Sequence, residues 1–251
     1  MKISVVVPAY NEAGRILPSL EKIVTYMQGH HPGYEVLVVN DGSTDDTEAT
    51  VRQRFGKDSG VEVLGYGANR GKGFAVRHGM SRATGDLVLF SDADLSTPIE
   101  EIEKMLPLMD SGYDIVIGSR ALAQSDIRER QPLYRELGGK LFNLMVRLVV
   151  MPELHDTQCG FKLFRRAATA PVLPHLRVDG FAFDVEILAL ARAIGLRISE
   201  IPVIWINSLM SRVRMSAASR AYLDLIDIRI RAGRMKAEAA AQARAQTAPP
   251  R

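Results

Sequence analysis

The stretch Leu87-Val88-Leu89-Phe90-Ser91-Asp92-Ala93-Asp94-Leu95-Ser96 decides how this chain is read. Its first four residues are apolar without alternation, as in a strand buried on both faces. Asp92 and Asp94 follow at once, two carboxylates spaced by one residue just past the strand's end. Working outward, the same order recurs. Residues 3–7, 35–39, 61–64 and 115–117 read as further strands, and 16–27, 47–55, 73–83 and 99–109 read as helices between them, the last opened by Thr97-Pro98. This repetition predicts an α/β fold with a Rossmann-like, doubly wound, mostly parallel sheet. Ligands of such sheets bind beyond the carboxyl ends of the strands.

Polar motifs stand at those ends. The first strand leads into Pro8-Ala9-Tyr10-Asn11-Glu12, the second into Asn40-Asp41-Gly42-Ser43-Thr44-Asp45-Asp46, and the third into Asn69-Arg70-Gly71-Lys72-Gly73. Asp92 and Asp94 can converge on one hard cation with oxygen ligands, Mg²⁺ or Mn²⁺, which can bridge a diphosphate. A carboxylate such as Asp41 can accept from a base N–H or ribose hydroxyls. Arg70 and Lys72 can supply positive charge to a donor, and Gly71 and Gly73 permit close backbone approach. A bare Asp-x-Asp is common, and its bland alternative is a turn using Asp for backbone hydrogen bonds. The ensemble carries the argument.

That ensemble resembles the family-two glycosyltransferases of the GT-A fold. Pro-Ala-Tyr-Asn-Glu, Asn-Asp-Gly-Ser-Thr-Asp-Asp-Thr, Asn-x-Gly-Lys-Gly, Ser-Asp-Ala-Asp and Gly118-Ser119-Arg120 occur in that family's order. Within it the chain is similar to the dolichyl-phosphate sugar transferases, and most to the β-glucosyl branch. The features that say so are residues 92–98, Asp156-Thr157-Gln158-Cys159-Gly160-Phe161-Lys162 and Phe183-Asp184-Val185-Glu186. The likeness runs over residues 1–231. It implies that Pro8, Tyr10, Glu12 and Asp41 surround the base and ribose of a nucleotide sugar, with Asp92 and Asp94 holding metal and diphosphate. It implies Arg120 and Arg135 on an acceptor phosphate, and Arg212 closing over the donor. The mannosyl relatives carry Gln where this chain has Ser96, and Ser where it has Gly139.

The expected reaction is inversion at the anomeric carbon, with glucose from UDP-glucose passing to a polyprenyl or dolichyl phosphate. GDP-mannose as donor, or a polysaccharide or protein hydroxyl as acceptor, are the alternatives within enzymes. A non-catalytic nucleotide-sugar binder is the alternative outside them. A phosphate monoester is largely dianionic at neutral pH and needs no base. Asp156 and Asp184 are therefore expected to position and polarise rather than abstract a proton. Their bland alternative is a buried structural carboxylate. Residues 8–12 lack the Gly-x-Gly-x-x-Gly of nicotinamide-binding folds, and Gly73 after Lys72 breaks the phosphate-loop pattern.

Composition bounds the rest. The single Cys159 excludes an internal disulfide and fits a reducing compartment. No signal peptide and no transmembrane helix are expected. After Trp205 nine basic residues face three acidic ones, a balance of +6, while residues 1–205 carry −3. That asymmetry suits an anionic partner or a membrane surface. Residues 133–151 form an amphipathic helix with Leu137, Leu141, Leu144, Met145 and Leu148 on one face, turned to the core or to lipid. Residues 216–231 form a second helix with a wide apolar face that needs the domain, another subunit or a bilayer. The expected organisation is a GT-A domain over 1–206, a basic helical extension over 207–235 and a disordered tail over 236–251. The protein is expected on the cytoplasmic face of a membrane, held peripherally.

Overall fold

The computed structural model describes residues 1–128, 133–207 and 216–247, the last segments without the side chains of residues 133–135, 216–220 and 243–247. Chain order begins β1 (Ile3–Ala9), α1 (Ile16–His30), β2 (Glu35–Asn40), α2 (Thr47–Arg54), β3 (Val61–Gly65), α3 (Lys72–Arg82), β4 (Leu87–Ser91), α4 (Ile102–Asp110) and β5 (Ile115–Ser119). It continues with β6 (Asp126–Ile127), α5 (Leu133–Val149), β7 (Phe161–Arg165), α6 (Arg166–Thr169), α7 (Phe183–Ala193), β8 (Ile198–Pro202), β9 (Ile204–Trp205) and α8 (Ser216–Thr247). Every strand and helix expected between residues 3 and 117 is present.

The main sheet runs β3-β2-β1-β4-β7-β5-β8. Its pairs are parallel except those of β7, which lies antiparallel between β4 and β5. β7 is not among the strands expected from the sequence, because its buried Lys162 interrupts an otherwise apolar run. Each face of the sheet carries its own core, as strands without polar alternation require. Val6, Val88 and Phe90 face α3 and α7 on one side, and Val5, Val7, Leu87 and Leu89 face α1 and α4 on the other.

Two helices near the C-terminal half refine the expectations. Of the two environments open to the α5 leucines, core or lipid, the core is not the one they take: Leu137 is 65% exposed and Leu148 70%, with Leu141 and Leu144 also exposed, while Val146 is buried. Residues 236–247, expected to be disordered, continue α8 as helix. Ala, Gln, Glu, Lys and Arg dominate there, and all are strong helix formers, so propensity extends a helix that packing begins. Leu225 and Ile228 of α8 are buried against the domain, and Tyr222 stacks edge-on against Phe142 of α5. Among the described residues no helix is long and apolar enough to cross a membrane.

Candidate active site

The loops leaving β1, β2, β3 and β4 gather at one rim, and side chains lock them together. Asn11 adopts a left-handed backbone (φ 55°), which turns its side chain across to the loop after β2. There Asn11 Oδ1 accepts from the Thr44 N–H at 2.8 Å, while Thr47 Oγ1 accepts from the Glu12 N–H at 2.8 Å. Asp41 is buried and engaged throughout. It accepts from Tyr66 Oη (2.9 Å), Asn69 Nδ2 (3.0 Å) and the main-chain N–H groups of Arg70 (2.7 Å) and Gly71 (2.9 Å). Asp41 thus builds the Asn69–Gly73 turn from below. Tyr10 is exposed at the mouth, and Glu12 is ion-paired with Arg15. Pro8 is a buried member of β1.

The Gly71 and Gly73 positions have a steric reason. Gly71 has φ 106°, and a Cβ there would strike the Asp179 carbonyl; one on Gly73 would strike the Val178 carbonyl. The Gly73 N–H donates to Asp179 O at 2.8 Å. The turn delivers Lys72 Nζ to 2.6 Å from Asp92 Oδ1. Burial works against the Lys72 ammonium, but Asp92 and Asp184 outweigh it and raise its pKa above the ordinary value. The guanidinium of Arg70, a residue expected at the donor, stacks 3.5 Å over Phe74 and sits 3.9 Å from Asp179.

Asp92 and Asp94 follow β4 on a strained turn, with Leu95 held at φ 48°. A non-glycine residue there is uncommon and marks a conformation that the surroundings impose. Burial and the neighbouring Asp92 push the Asp94 pKa up, and Arg15 opposes them. The pair is therefore short of positive charge. With Lys72 already resting on one member, the donor set fits a hard cation. Among the described residues no third His, Cys, Asp or Glu joins them, so diphosphate oxygens would have to complete the shell.

Beside this pair lies the turn before β7. The Asp92 N–H donates to Gly160 O at 3.0 Å, and a Cβ on Gly160 would run into the Asp92 carboxylate. Four residues upstream, Asp156 grips Arg120 in a two-pronged pair, Nε to Oδ2 at 2.6 Å and Nη2 to Oδ1 at 2.9 Å. It also accepts the main-chain N–H groups of Arg120 and Gln158 at 3.0 Å. Burial alone would raise its pKa; Arg120 overrides that and brings it down to about 2. Glu200 holds the turn from behind through the Asp156 N–H at 2.7 Å. Arg120 opens onto a cavity of about 460 Å³ lined also by Ile127, Gly139, Lys140, Asn143 and Trp205. Trp205 stacks 5.7 Å from the Arg120 guanidinium.

Asp184 behaves differently. It sits in the first turn of α7, buried, with Lys162 Nζ at 2.5 Å. Burial raises its pKa despite Lys162 and Lys72. Cys159 is buried and its thiol is pushed up to about 11 by that burial, so it is no nucleophile at neutral pH. Arg135 falls on α5, but its side chain lies outside the described residues, as does Arg212 altogether. Sequence reasoning missed Arg15, Lys162 and Glu200. A lysine inside the apolar run Phe161-Lys162-Leu163-Phe164 was the available signal for a buried ion pair.

The doubly wound sheet thus carries an acidic pair at its rim, beside a turn that holds a clamped arginine. The pattern of Glycosyl transferase family 2 matches residues 4–172, and the chain belongs to that family and is a glycosyltransferase. Its relatives include a dolichyl-phosphate beta-glucosyltransferase of Drosophila melanogaster, 38% identical over 221 residues, covering 82% of this chain and 67% of that protein. Another of the same description, from Trichomonas vaginalis, is 36% identical over 236 residues, covering 90% and 70%. The human protein so named is 36% identical over 218 residues, covering 81% and 67%. Among solved structures, the glucosyl-3-phosphoglycerate synthase of Mycobacterium tuberculosis, in complex with Mn²⁺, UDP and phosphoglyceric acid, superposes with TM-score 0.68 at 20% identity, covering 92% of this chain and 78% of that one. The mannosyl-3-phosphoglycerate synthase of Rubrobacter xylanophilus gives 0.68 at 19%, covering 95% and 75%. These two establish the GT-A fold.

Proposed function

We propose that the protein transfers glucose from UDP-glucose to a polyprenyl phosphate of the dolichyl type, with inversion and with a divalent metal at Asp92 and Asp94. The observation that carries this reading is the turn over residues 156–160, which backs Asp92 at one end and clamps Arg120 at the other. One short segment thus fixes the distance between a metal-type acidic pair and a cation open to a cavity. The relatives named above supply the donor sugar and lipid class, and a solved structure of the same fold supplies Mn²⁺ with UDP.

Mg²⁺ or Mn²⁺ bound there would act as a Lewis acid for the departing diphosphate. Asp92 and Asp94 hold the site, with Lys72 adding charge to the phosphate side. Arg120 and Lys140 line the acceptor cavity, where a phosphate dianion attacks without surrendering a proton. Two like charges about 4 Å apart at an effective dielectric near 20 repel by roughly 4 kcal/mol, which these cations reverse. Arg135 and Arg212 belong to the same proposal, the first at the acceptor phosphate and the second over the donor. Tyr10, Glu12 and Pro8 form the nucleoside side. Asp41 serves it by shaping the turn at Gly71.

The exposed leucines of α5, whose Gly139, Lys140 and Asn143 line the cavity, and Leu223, Ile226 and Ile230 of α8 are apolar side chains suited to a lipid surface. The reading is a peripheral protein of the cytoplasmic leaflet, its acceptor phosphate entering past α5. The experiment supplies Mn²⁺ or Mg²⁺, a panel of nucleotide sugars and a short polyprenyl phosphate, and measures nucleotide release. Release of UDP from UDP-glucose only with the lipid present is expected. Release of GDP from GDP-mannose, or lipid-independent transfer, overturns it. In flotation with anionic vesicles, L141Q/L148Q should leave the vesicle fraction while the parent protein stays in it.

A further inference from the structure

We infer that Arg231 of α8 and Glu186 of α7 are positioning residues for the donor, acting on Lys72 through residues 176–180. The inference rests on the proposed assignment of the Gly71-Lys72-Gly73 turn to the donor diphosphate. Neither residue touches that turn. Glu186 is fully buried, at 0% exposure, in the first turns of α7. Its two oxygens accept the main-chain N–H groups of Arg177 and Val178, each at 2.9 Å. Those contacts fix the segment whose next carbonyl, Asp179 O, receives the Gly73 N–H. Asp179 also takes Arg77 of α3 at 2.9 Å, and Leu176 O takes the same guanidinium at 2.8 Å. The segment is therefore a brace, anchored on Glu186 and pressed against the Gly71 and Gly73 backbones so closely that neither tolerates a Cβ.

Arg231 completes the anchor. Its Nη1 lies 2.5 Å from Glu186 Oε1, its Nε donates to Asp227 Oδ2 at 2.7 Å, and Nη1 also reaches His175 O at 3.3 Å. The guanidinium is held there although its buried Nη2 finds no hydrogen-bond partner. A buried carboxylate that loses its paired cation is strongly destabilised. Glu186 would then move, and the amides of Arg177 and Val178 would move with it. The displacement arrives at Gly73 and shifts Lys72 relative to Asp92. Geometry of this kind changes donor affinity without touching the acceptor cavity, which Arg120, Asn143 and Trp205 line.

The test compares R231M, R231K and E186Q with the parent protein, and with D227N as the exposed partner on the same helix. For R231M the KM for the nucleotide-sugar donor should rise about tenfold while the KM for a short polyprenyl phosphate stays within about twofold. R231K should recover part of the donor KM, E186Q should resemble R231M, and D227N should match the parent. Amide hydrogen exchange gives a readout independent of turnover: Gly73 should exchange at least about tenfold faster in R231M, with β1 amides unchanged. An unchanged donor KM with unchanged Gly73 exchange overturns the inference. So does an equal fall in activity toward both substrates with a uniform loss of protection. If E186Q folds where R231M does not, it decides alone by the same criteria. Absence of UDP-glucose turnover in the parent protein would instead sink the proposed function, while Gly73 exchange would still decide whether the brace exists.

Discussion

Two pairs of aspartates meet at this site, and their charge is balanced in opposite ways. Asp92 and Asp94 are half-buried at the end of one strand, with Lys72 on the first, and burial plus repulsion from Asp92 raising the second. Asp156 and Asp184 are buried, and each has its own cation, Arg120 and Lys162. The first pair keeps an unmet demand for positive charge; the second has used its demand in holding other side chains. In the sequence Asp92 and Asp94 read as a metal pair, and Asp156 and Asp184 as carboxylates that position and polarise. The structure gives that distinction a physical basis: the first pair can still bind a cation, and the second fixes where the neighbours stand.

That division can be broken by substitution, and the largest effect should fall on the first pair. D94N should lower turnover by about 10²–10³-fold or more, since an electrostatic group of the reacting site is lost. Its melting temperature should stay level or rise slightly, because one of two like charges is gone. A D94N enzyme with near-normal rates would end the metal assignment. D156N should do the reverse in emphasis. Breaking a buried ion pair costs about 3–5 kcal/mol, read in denaturant unfolding, and turnover should drop because Arg120 loosens. If D156N lost its rate at unchanged stability, Asp156 would belong with the reacting groups.

The pH dependence sharpens the same contrast with smaller effects. Asp156 is lowered to about 2, so its contribution is fully present above the ordinary carboxylate range. It is lost as pH falls from about 4 toward 2. Asp184 is raised, so the folded state takes up its proton first and gains stability as pH falls through that value. Urea unfolding between about pH 6 and 2.5 should show a shallower acid loss in D156N than in the parent. D184N, lacking the opposing contribution, should show a steeper one. Identical slopes in all three would mean that the two buried acids are balanced alike.

The fold was legible because the first five strands are short, apolar and each followed by a polar motif. β7 was not, since Lys162 broke the apolar pattern and its direction depends on partners far away in sequence. Asp92, Asp94, Lys72 and Arg120 were legible as a set, and the structure brings Lys72 to Asp92 and Arg120 beside the turn that backs it. Arg70 was read as a donor cation, and Phe74, one helical turn on, takes its guanidinium. Asp41 was read as a nucleoside contact, and four donors within 3.0 Å make it the scaffold of the neighbouring turn as well. Such local hydrogen bonding depends on residues 25 to 30 positions away, beyond what spacing alone reveals. The α8 helix exceeded its expected end because helix propensity continued after the apolar pattern stopped.

The reversal of β7 has a wider consequence. Because β5 and β7 are adjacent and antiparallel, the excursion between them departs and returns at the same rim, with Arg120 at its exit and Asp156 at its re-entry, bonded to each other. The segment between, α5 included, is held at its ends by that clasp and along its length by β6 on β9, Phe142 against Tyr222 and Val146 in the core. On the proposed function it carries the acceptor side as one piece, so redirecting the enzyme to a different acceptor means exchanging that piece together with its contacts on β9 and α8.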